Sequence, residues 1–317
     1  MYGPYQKLPK KDAVDPGAPT RPIPTYPNVD EARLHPVIRP QSRQRRGAGC
    51  LLLPILLLPF LIPVLAYFLA PLRTNILILG IDARPQEGFV GRTDTMILST
   101  IVPLKPYVGA LSIPRDLWVN VPGHGENRIN TAHFFGEADK PGSGPQAAMN
   151  VIQKNFGVDV KYYVRIRFSG FKDIVDALNG VDVNLPQAMS GYTAGKHHLN
   201  GEQALALVRD RETSDDFYRM QRGQIFLKSL FRQVLLPSGW SHIPAVLSAL
   251  KGVIDTNIPA WQWPRLGLAV LRAGPDGIDT RSISREMVSP FITSGGADVL
   301  GPEWNKINPM LMEMFGQ

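Results

Sequence analysis

The sequence has a single cysteine, Cys50, in 317 residues, so it cannot form an intrachain disulfide bond and has no CxxC metal or redox motif. It also lacks a Walker A sequence, a complete GxGxxG, an HExxH and a GxSxG motif. These absences argue against P-loop nucleotide binding, Rossmann dinucleotide binding, zincin proteolysis and α/β-hydrolase chemistry.

Charge is sparse and unevenly distributed. Charged residues make up 19% of the chain, and the net charge is +7. Residues 7–46 hold nine Lys/Arg and four Asp/Glu, a net +5, which leaves +2 for residues 47–317. With nine prolines and few large apolar residues, residues 1–46 are predicted to be a disordered, basic, Pro-rich tail. The nearly neutral remainder does not favour a nucleic-acid partner.

A long uncharged run follows this tail. Residues 50–72 are 23 consecutive residues without a charge, enough for a helix across about 30 Å of hydrocarbon. Pro54, Pro59 and Pro63 are tolerated more readily in a membrane helix than in a soluble one. We therefore predict a transmembrane helix over residues 47–72. A buried core helix is one alternative, and a cleaved signal peptide is another, disfavoured by the long polar segment in front and by the lack of an A-x-A-like site.

The charges that flank this run predict its orientation. Arg43, Arg45 and Arg46 precede it, and only Arg73 follows closely. By the positive-inside rule, the N-terminus is cytoplasmic and residues 73–317 form an extracytoplasmic domain on the bacterial cytoplasmic membrane.

The remaining sequence alternates strand-like and helix-like segments. Strands are predicted at residues 75–79, 95–102, 107–113, 162–168, 181–185 and 278–283. Helices are predicted at residues 146–156, 171–178, 244–252 and 260–272, with a last helix from about 302. Asn200 and Gln203 predict the capping box of another helix, and residues 214–216 offer a cap for a long helix that runs to about Leu236. Residues 136–145 are interpreted as a loop. Strand, helix and strand in succession indicate one layered α/β domain.

Two aspartates lie where strands meet flexible glycines. Asp82 follows the first strand in Gly80-Ile81-Asp82, and Asp94 follows Gly91. Two such carboxylates could converge on Mg²⁺, which takes one or two protein carboxylates together with phosphate oxygens. The alternative is that both side chains only cap helices or turns.

Arginines cluster in the same motifs. Arg115 follows a strand that ends in proline, Arg209 and Arg211 are two residues apart, and Arg219 and Arg222 share one face of a helix. Guanidinium groups can bind pyrophosphate oxygens bidentately, although arginines at protein surfaces usually form salt bridges.

Seven motifs in order resemble those of the LytR-CpsA-Psr family of cell-envelope enzymes: NILILGIDAR, GRTDTMIL, LSIPRDLWV, RINTAHFFG, GFKDIVDALNGVDV, LNGEQALALVRDR and DFYRMQRGQ. The resemblance covers residues 75–317. It implies a three-layer α/β/α sandwich with a central mixed sheet and an apolar pocket for a polyprenyl chain. It also implies a phosphotransferase that moves a glycopolymer from a polyprenyl-pyrophosphate carrier onto a peptidoglycan hydroxyl and releases polyprenyl phosphate, with pyrophosphatase activity as a side reaction.

The resemblance also implies roles for individual residues. Asp82 and Asp94 match the metal-binding carboxylates, for Mg²⁺ or alternatively Mn²⁺. The arginines matched to pyrophosphate binding are Arg84, Arg115, Arg209, Arg211, Arg219 and Arg222. Four of these are expected to act in catalysis: Arg115, Arg209, Arg211 and Arg219.

One residue departs from the family pattern. Relatives commonly have glutamine where this chain has Gly223, which removes a polar side chain near the phosphates and leaves a glycine inside a helix. Two other functions therefore stay open: a non-catalytic polyprenyl-lipid-binding scaffold and a membrane-bound transcriptional attenuator. The partners expected for the leading interpretation are the lipid-linked glycan donor, a cell-wall acceptor and membrane lipid.

Overall fold

The computed structural model describes residues 49–69, 72–81, 91–103, 107–210, 216–251, 253–274 and 277–316. The chain divides into two units, Met1–Ile55, of which only the start of the first helix is described, and Leu56–Gln317. The predicted disordered tail, residues 1–46, lies outside the described residues.

The first helix, α1, spans Gly49–Leu69, and its side chains are described at residues 58–68 only. Within the described part of the chain, none of the helices combines the length and apolarity needed to cross a membrane. The transmembrane helix over residues 47–72 therefore stays a prediction, as does the topology derived from it.

Twelve strands are found in the described residues. They are β1 (Thr74–Ile81), β2 (Thr93–Val102), β3 (Tyr107–Ile113), β4 (Trp118–Val121), β5 (Gly125–Arg128), β6 (Tyr162–Arg167), β7 (Val181–Leu185), β8 (Gly195–Leu199), β9 (Ile254–Thr256), β10 (Ile278–Ser282), β11 (Val288–Ile292) and β12 (Asp298–Pro302). Six of them form one sheet in the order β10-β3-β2-β1-β6-β9, and the others pair as three hairpins. The sheet is mixed, because β1 is parallel to β6 and β3 to β10 while the other neighbours are antiparallel.

The helices that follow α1 in the described residues are α2 (Thr131–Asp139), α3 (Gly144–Phe156), α4 (Phe168–Ala177), α5 (Gly201–Arg209), α6 (Asp216–Leu235), α7 (Pro237–Trp240), α8 (Ile243–Leu250), α9 (Trp263–Ala273) and α10 (Trp304–Phe315). Asn200 and Gln203 form the predicted capping box of α5. α3 ends as predicted at Gly157, which has φ 71°.

The sheet is buried on both faces, as near-continuous apolar strands require. Leu77, Leu98 and Leu111 are register partners on one face, where they pack with α2, α3 and α10 in a common core. Ile76 and Val108 lie on the other face, which packs against α6 and α9. Helices on both faces of a mixed sheet confirm the predicted α/β fold class.

One predicted loop is wrong in part. Residues 136–139 finish α2 and residues 144–145 begin α3, so only residues 140–143 connect the two helices. The helices pack so closely that a Cβ on Gly136 would lie 2.7 Å from the Cβ of Ala147. The Glu137 carboxylate closes the connection by accepting the backbone N–H groups of Gly142 and Gly144. The Gly and Pro residues of this segment predicted a loop, but the glycines allow the two helices to pack closely.

The two ends of the sheet can be distinguished by register. Thr74 pairs with Ile101, Ile101 with Val108, and Val108 with Ile278. We call this the entry end, because the chain enters the sheet there. Asp94 lies at the opposite end, the site end, seven residues and about 23 Å of extended strand from Ile101.

Candidate functional site

An apolar cavity lies between the sheet and helices α4, α5 and α6. It encloses about 1060 Å³ including its open mouth, and its walls include Ile78, Ile97, Ile174 and Phe226. Asp94 and Arg219 are the only ionisable residues among the described side chains that line it. A cavity with this composition fits a long apolar chain that carries a charged group at one end.

A polar cavity of about 790 Å³ adjoins it and shares Asp94. Its remaining described walls are Arg92, Arg115, Asp116, Arg128 and Asn130. Three arginines against two aspartates give this surface an excess of positive charge, which suits an anionic group.

The charged side chains of the polar cavity form a connected network. Arg115 Nη1 donates to Asp94 Oδ1 at 2.9 Å, and Arg115 Nε donates to Asp116 Oδ2 at 3.4 Å. Arg128 Nε lies 3.1 Å from Asp116 Oδ1, and its Nη2 donates to the carbonyl of Asp298 at 2.7 Å. The network holds the guanidinium planes in fixed orientations before any ligand binds, which is the preorganisation that charge stabilisation requires.

Local backbone structure places Asp94 and Arg115 side by side. Arg115 follows the buried Pro114 at the end of β3, and the Leu117 N–H closes a turn on the Pro114 carbonyl at 3.2 Å. The Asn130 backbone links the two segments, because its N–H donates to the Arg115 carbonyl and its carbonyl accepts the N–H of Thr93. The SIPRD and RTDT motifs thus meet at one end of adjacent antiparallel strands.

A buried polar cluster contacts the chain just before β2. His133 is fully buried, its Nδ1 lies 2.9 Å from the Gly91 carbonyl, and its Nε2 lies 3.1 Å from Arg165 Nη1. Arg165 also pairs with Glu137 at 2.5 Å and with Asp255 at 2.6 Å. Burial lowers the pKa of His133, and the neighbouring Arg165 charge acts in the same direction. A neutral ring that donates from Nδ1 and accepts at Nε2 satisfies both contacts.

Arg219 lies at the junction of the two cavities. It lines the apolar cavity, and its Nη2 donates to the backbone carbonyl of Asp94 at 3.4 Å. The structure therefore brings together Asp94, Arg115 and Arg219 from the residues predicted from the sequence. Arg209 is exposed in the last turn of α5 and lines neither described cavity.

Arg222 occupies a different environment. It is 2% exposed, donates to the Asp210 carbonyl and lines neither described cavity. Burial lowers the pKa of its guanidinium, partly offset by Asp210. Its contact fastens the end of α5 to α6, so pyrophosphate binding by Arg222 stays a prediction.

Three other predicted site residues lie outside the described residues: Asp82, Arg84 and Arg211. β1 ends at Ile81, so the chain leaves the sheet toward Asp82 at the site end. Arg211 follows Arg209 and Asp210, which end α5.

The sequence reasoning missed Arg92, Asp116 and Arg128. All three lie within the motifs that carry the family resemblance, but an isolated arginine has no spacing that distinguishes a ligand from a surface residue. Asp116 and Arg128 come together because the β4–β5 hairpin returns Arg128 to Asp116, and Arg92 joins them at the start of β2.

The described residues contain no group of three or more His, Cys, Asp or Glu side chains able to hold a metal ion. Asp94 supplies one suitable carboxylate at the cavity junction. A single carboxylate beside phosphate oxygens is compatible with Mg²⁺, which binds few protein ligands, so the donor chemistry fits the predicted metal.

The fold and the two cavities together define a class, namely mixed-sheet α/β proteins with an apolar cavity next to a polar cavity lined by arginines. The particular family is shown by comparison. The chain belongs to the LytR_cpsA_psr family, whose model matches residues 71–314.

The similar proteins include a cell-wall transferase and a regulatory protein, by their names. The polyisoprenyl-teichoic acid–peptidoglycan teichoic acid transferase TagU of Oceanobacillus iheyensis is 36% identical over 190 residues, 58% of this chain and 58% of that protein. The regulatory protein MsrR of Staphylococcus aureus is 30% identical over 195 residues, 59% of this chain and 57% of that protein. The chain thus matches less than two thirds of the length of either relative.

Solved structures of similar fold cover more of the chain. Bacillus subtilis TagV has a TM-score of 0.64 and 26% identity, over 78% of this chain and 98% of that one. TagT bound to LIIa-WTA has a TM-score of 0.62 and 25% identity, over 77% of this chain and 91% of that one.

Proposed function

We propose that this protein is a phosphotransferase that moves a glycopolymer from a polyprenyl-pyrophosphate carrier onto a peptidoglycan hydroxyl. The observation that carries the proposal is the junction at Asp94, where the apolar cavity opens onto the arginine-lined cavity. A ligand that fills both must be apolar over much of its length and anionic at one end, as a polyprenyl pyrophosphate is. The names of TagU and TagT support the same chemistry.

The transfer exchanges one phosphorus–oxygen bond for another. The acceptor oxygen bonds to the glycan-linked phosphorus, the bond from that phosphorus to the bridging oxygen breaks, and the hydroxyl proton is released. Polyprenyl phosphate leaves with the bridging oxygen. Negative charge builds up on the leaving phosphate and the equatorial oxygens, and catalysis consists mainly of stabilising that charge.

The arginines of the site are arranged for this task. Arg219 lies at the cavity junction, where the lipid-linked phosphate would be, and Arg115 presents its guanidinium from the polar side. Arg92 and Arg128 extend the positive surface toward the glycan side. We propose that Arg209 and the predicted Arg84 and Arg211 also bind the pyrophosphate oxygens. Arg222 would hold the end of α5 in place.

Asp94 together with Asp82 would hold Mg²⁺ or Mn²⁺, and the cation would neutralise pyrophosphate oxygens. Arg115 holds Asp94 at 2.9 Å, so it also orients the carboxylate. We propose that the protein works at the outer face of the cytoplasmic membrane, with a single span and a cytoplasmic N-terminus.

The test is turnover of a lipid-linked oligosaccharide by the full chain reconstituted in vesicles. Replacing Arg219 with Ala, or Asp94 with Asn, should lower release of polyprenyl phosphate by roughly 100-fold or more, because each removes a preorganised charge. The matched control is Lys154→Ala, a charge removal on the exposed face of α3. Unchanged turnover in either site variant would refute the proposal. Lipid binding without turnover in the unaltered chain would favour the scaffold.

A further inference from the structure

Large apolar side chains are exposed at the entry end of the sheet. We call the following set the tryptophan surface: Trp240, Ile243, Trp261, Trp263, Leu268 and Leu271. Their exposed fractions range from 37% to 59%. Exposed apolar patches that contain several tryptophans are uncommon on soluble surfaces and mark interaction sites.

Register and contacts place this surface at the entry end. α9 spans the sheet there, because Arg272 donates to the carbonyl of Pro103 in the β2–β3 connection, and Gln262 contacts Tyr162 at the start of β6. α6 runs from Arg219, at the site end, to Leu235, which packs in the α9 core. α7 and α8 follow directly from that end of α6.

The uncharged run reaches the domain at the same place. Tyr67 donates to the Trp261 carbonyl, and the two rings are 6.2 Å apart. Arg265, which is 3% exposed, donates to the Leu72 carbonyl at 2.7 Å. The last residues of the run are therefore fastened to the same segment that carries Trp261 and Trp263.

Acidic residues are scarce in the segments that carry the surface. Asp255 is the only acidic residue between positions 217 and 275, and it is paired with Arg165. Residues 233–250 contain no Asp, Glu, Lys or Arg, and the exposed Arg232 precedes them near the end of α6. Lys228 is exposed one turn before Arg232. Tryptophan with aliphatic side chains and a basic rim is the composition of surfaces that lie in the interface of an anionic bilayer.

We propose that the tryptophan surface docks into the interfacial layer of an anionic lipid bilayer, with Lys228 and Arg232 against the lipid headgroups. This proposal rests on the proposed membrane location. It adds that the domain lies against the bilayer in one orientation. The apolar cavity then extends from Arg219 toward the membrane along α6, for about 16 Å to Leu230. A carrier lipid could reach the arginines while its tail stays in an apolar environment.

The five tryptophans allow a direct test in the full chain. Each single-tryptophan variant keeps Trp118, Trp240, Trp261, Trp263 or Trp304 and has Phe at the other four positions. The variants are reconstituted in phosphatidylglycerol–phosphatidylcholine vesicles whose acyl chains carry bromine at a shallow or a deep position. We expect bromine to quench Trp240, Trp261 and Trp263, and shallow bromine to quench them more, because an interfacial surface is buried only about 5–10 Å.

Trp118 and Trp304 are the internal controls. Trp118 lies in the hairpin that follows the site end of β3, and Trp304 packs against Phe156 on the first face of the sheet. If the protein floats with the vesicles but all five tryptophans are quenched equally and weakly, the proposed docking is overturned. That result would not contradict the predicted membrane-spanning helix. Release of polyprenyl phosphate on the same vesicles reports separately on the proposed transfer.

The basic rim is tested by a second set of variants. Replacing Lys228 and Arg232 together with Gln should reduce quenching of Trp240 and make it independent of the phosphatidylglycerol content. The matched control, Lys154→Gln on α3, should leave quenching unchanged. Quenching that is equally strong without anionic lipid in the unaltered chain would contradict the proposed headgroup contact. Self-association of the surface in place of lipid contact would also overturn it. It would be seen as cross-linking of a Leu268→Cys variant that also carries Cys50→Ser, in vesicles that give no quenching.

Discussion

At the scale of single residues, the site depends on arginines whose positions are fixed by carboxylates. Arg115 contacts both Asp94 and Asp116, and Arg128 contacts Asp116 from the other side. Because these side chains are 20–29% exposed, their pairing contributes more to orientation than to stability. The planar fork of Arg115 is what allows one side chain to reach two carboxylates.

Replacing Arg115 with Lys should therefore impair the reaction although it keeps the charge. Lysine cannot donate to both carboxylates in one plane, and loss of a charge-assisted hydrogen bond worth about 1.5–3 kcal/mol corresponds to a roughly 10- to 100-fold lower kcat/KM. The measurement is steady-state release of polyprenyl phosphate, with thermal unfolding to establish that the variant is folded. A variant with the kcat/KM of the unaltered chain would show that the fork is dispensable.

His133 should make stability depend on pH. Its folded-state pKa is lowered by burial, so the unfolded chain binds a proton more readily and the free energy of unfolding falls as the pH drops below about 6.5. His133→Asn retains a donor for Gly91 and cannot protonate, so it should flatten this slope. It should also cost about 1–3 kcal/mol at pH 8, through the lost contact with Arg165. Urea unfolding at pH 8, 7, 6 and 5.5 measures both effects.

The control for His133 is His198→Asn, on the exposed strand β8, where His198 pairs with Asp182 at 2.7 Å. That variant should keep most of the pH dependence. An unchanged slope in His133→Asn would show that another group is responsible. The Glu137 carboxyl is buried, which raises its pKa, but the Gly142 N–H and Arg165 outweigh this and hold the pKa lower than usual. Its contribution is lost only under more acidic conditions.

At the scale of elements, α6 links the two cavities. Its first turns carry Arg219 to the junction, its middle lines the apolar cavity with Phe226 and Leu230, and its end packs with α9. Gly223 lies in the middle of this helix on the cavity wall, and a Cβ added there would meet no atom within 4 Å. Packing therefore does not require glycine at position 223.

Gly223→Ala should stabilise the protein by about 0.5–1 kcal/mol, because alanine lowers the conformational entropy of the unfolded chain and nothing obstructs its methyl group. Gly136→Ala is the matched control. Its Cβ would lie 2.7 Å from the Ala147 Cβ and 2.9 Å from the Gly144 Cα, so it should destabilise by about 1–3 kcal/mol. Thermal unfolding of both variants shows whether each one is stabilised or destabilised. A lower Tm for Gly223→Ala than for the unaltered chain would contradict the conclusion that the added methyl group fits without a clash.

At the scale of the whole molecule, the domain is closed by its last helix. α10 buries Ile307, Leu311, Met314 and Phe315 in the core on the first face of the sheet. Arg73, just before β1, donates to the Met314 carbonyl at 2.6 Å, which joins the two ends of the domain. The core on this face is therefore assembled from segments more than 200 residues apart.

Leu311→Ala should cost about 2–5 kcal/mol, since Leu311 is 2% exposed and its loss leaves a cavity. Met312→Ala, the neighbour that is 62% exposed, should change stability by less than about 0.5 kcal/mol. Chemical denaturation of the two variants provides the comparison. Equal effects would mean that α10 is not part of the cooperative core.

Local sequence was enough to locate most of the sheet and many of its helices. β3 and β7 have the predicted limits, because their apolar runs are bounded by Pro, Gly or turn residues. The hairpins β4–β5 and β11–β12 were not predicted, since short two-stranded pairs are stabilised by the domain around them. The same hairpins bring Arg128 to the polar cavity and place the Asp298 carbonyl where it accepts a hydrogen bond from Arg128. Part of the site could therefore not be found from local pattern.

The sequence by itself determined the α/β class and the family, because apolar periodicity and contiguous motifs are local properties of the chain. Only the tertiary structure decided which arginines face the cavities. Arg219 and Arg222 are three residues apart on one helix, yet one lines the cavity junction and the other is buried against Asp210. That difference is set by what packs on each side of α6, which is contributed by distant segments of the chain. The scarcity of acidic residues between positions 217 and 275 could be read from the sequence, but only the fold brings the exposed tryptophans together at one end of the sheet.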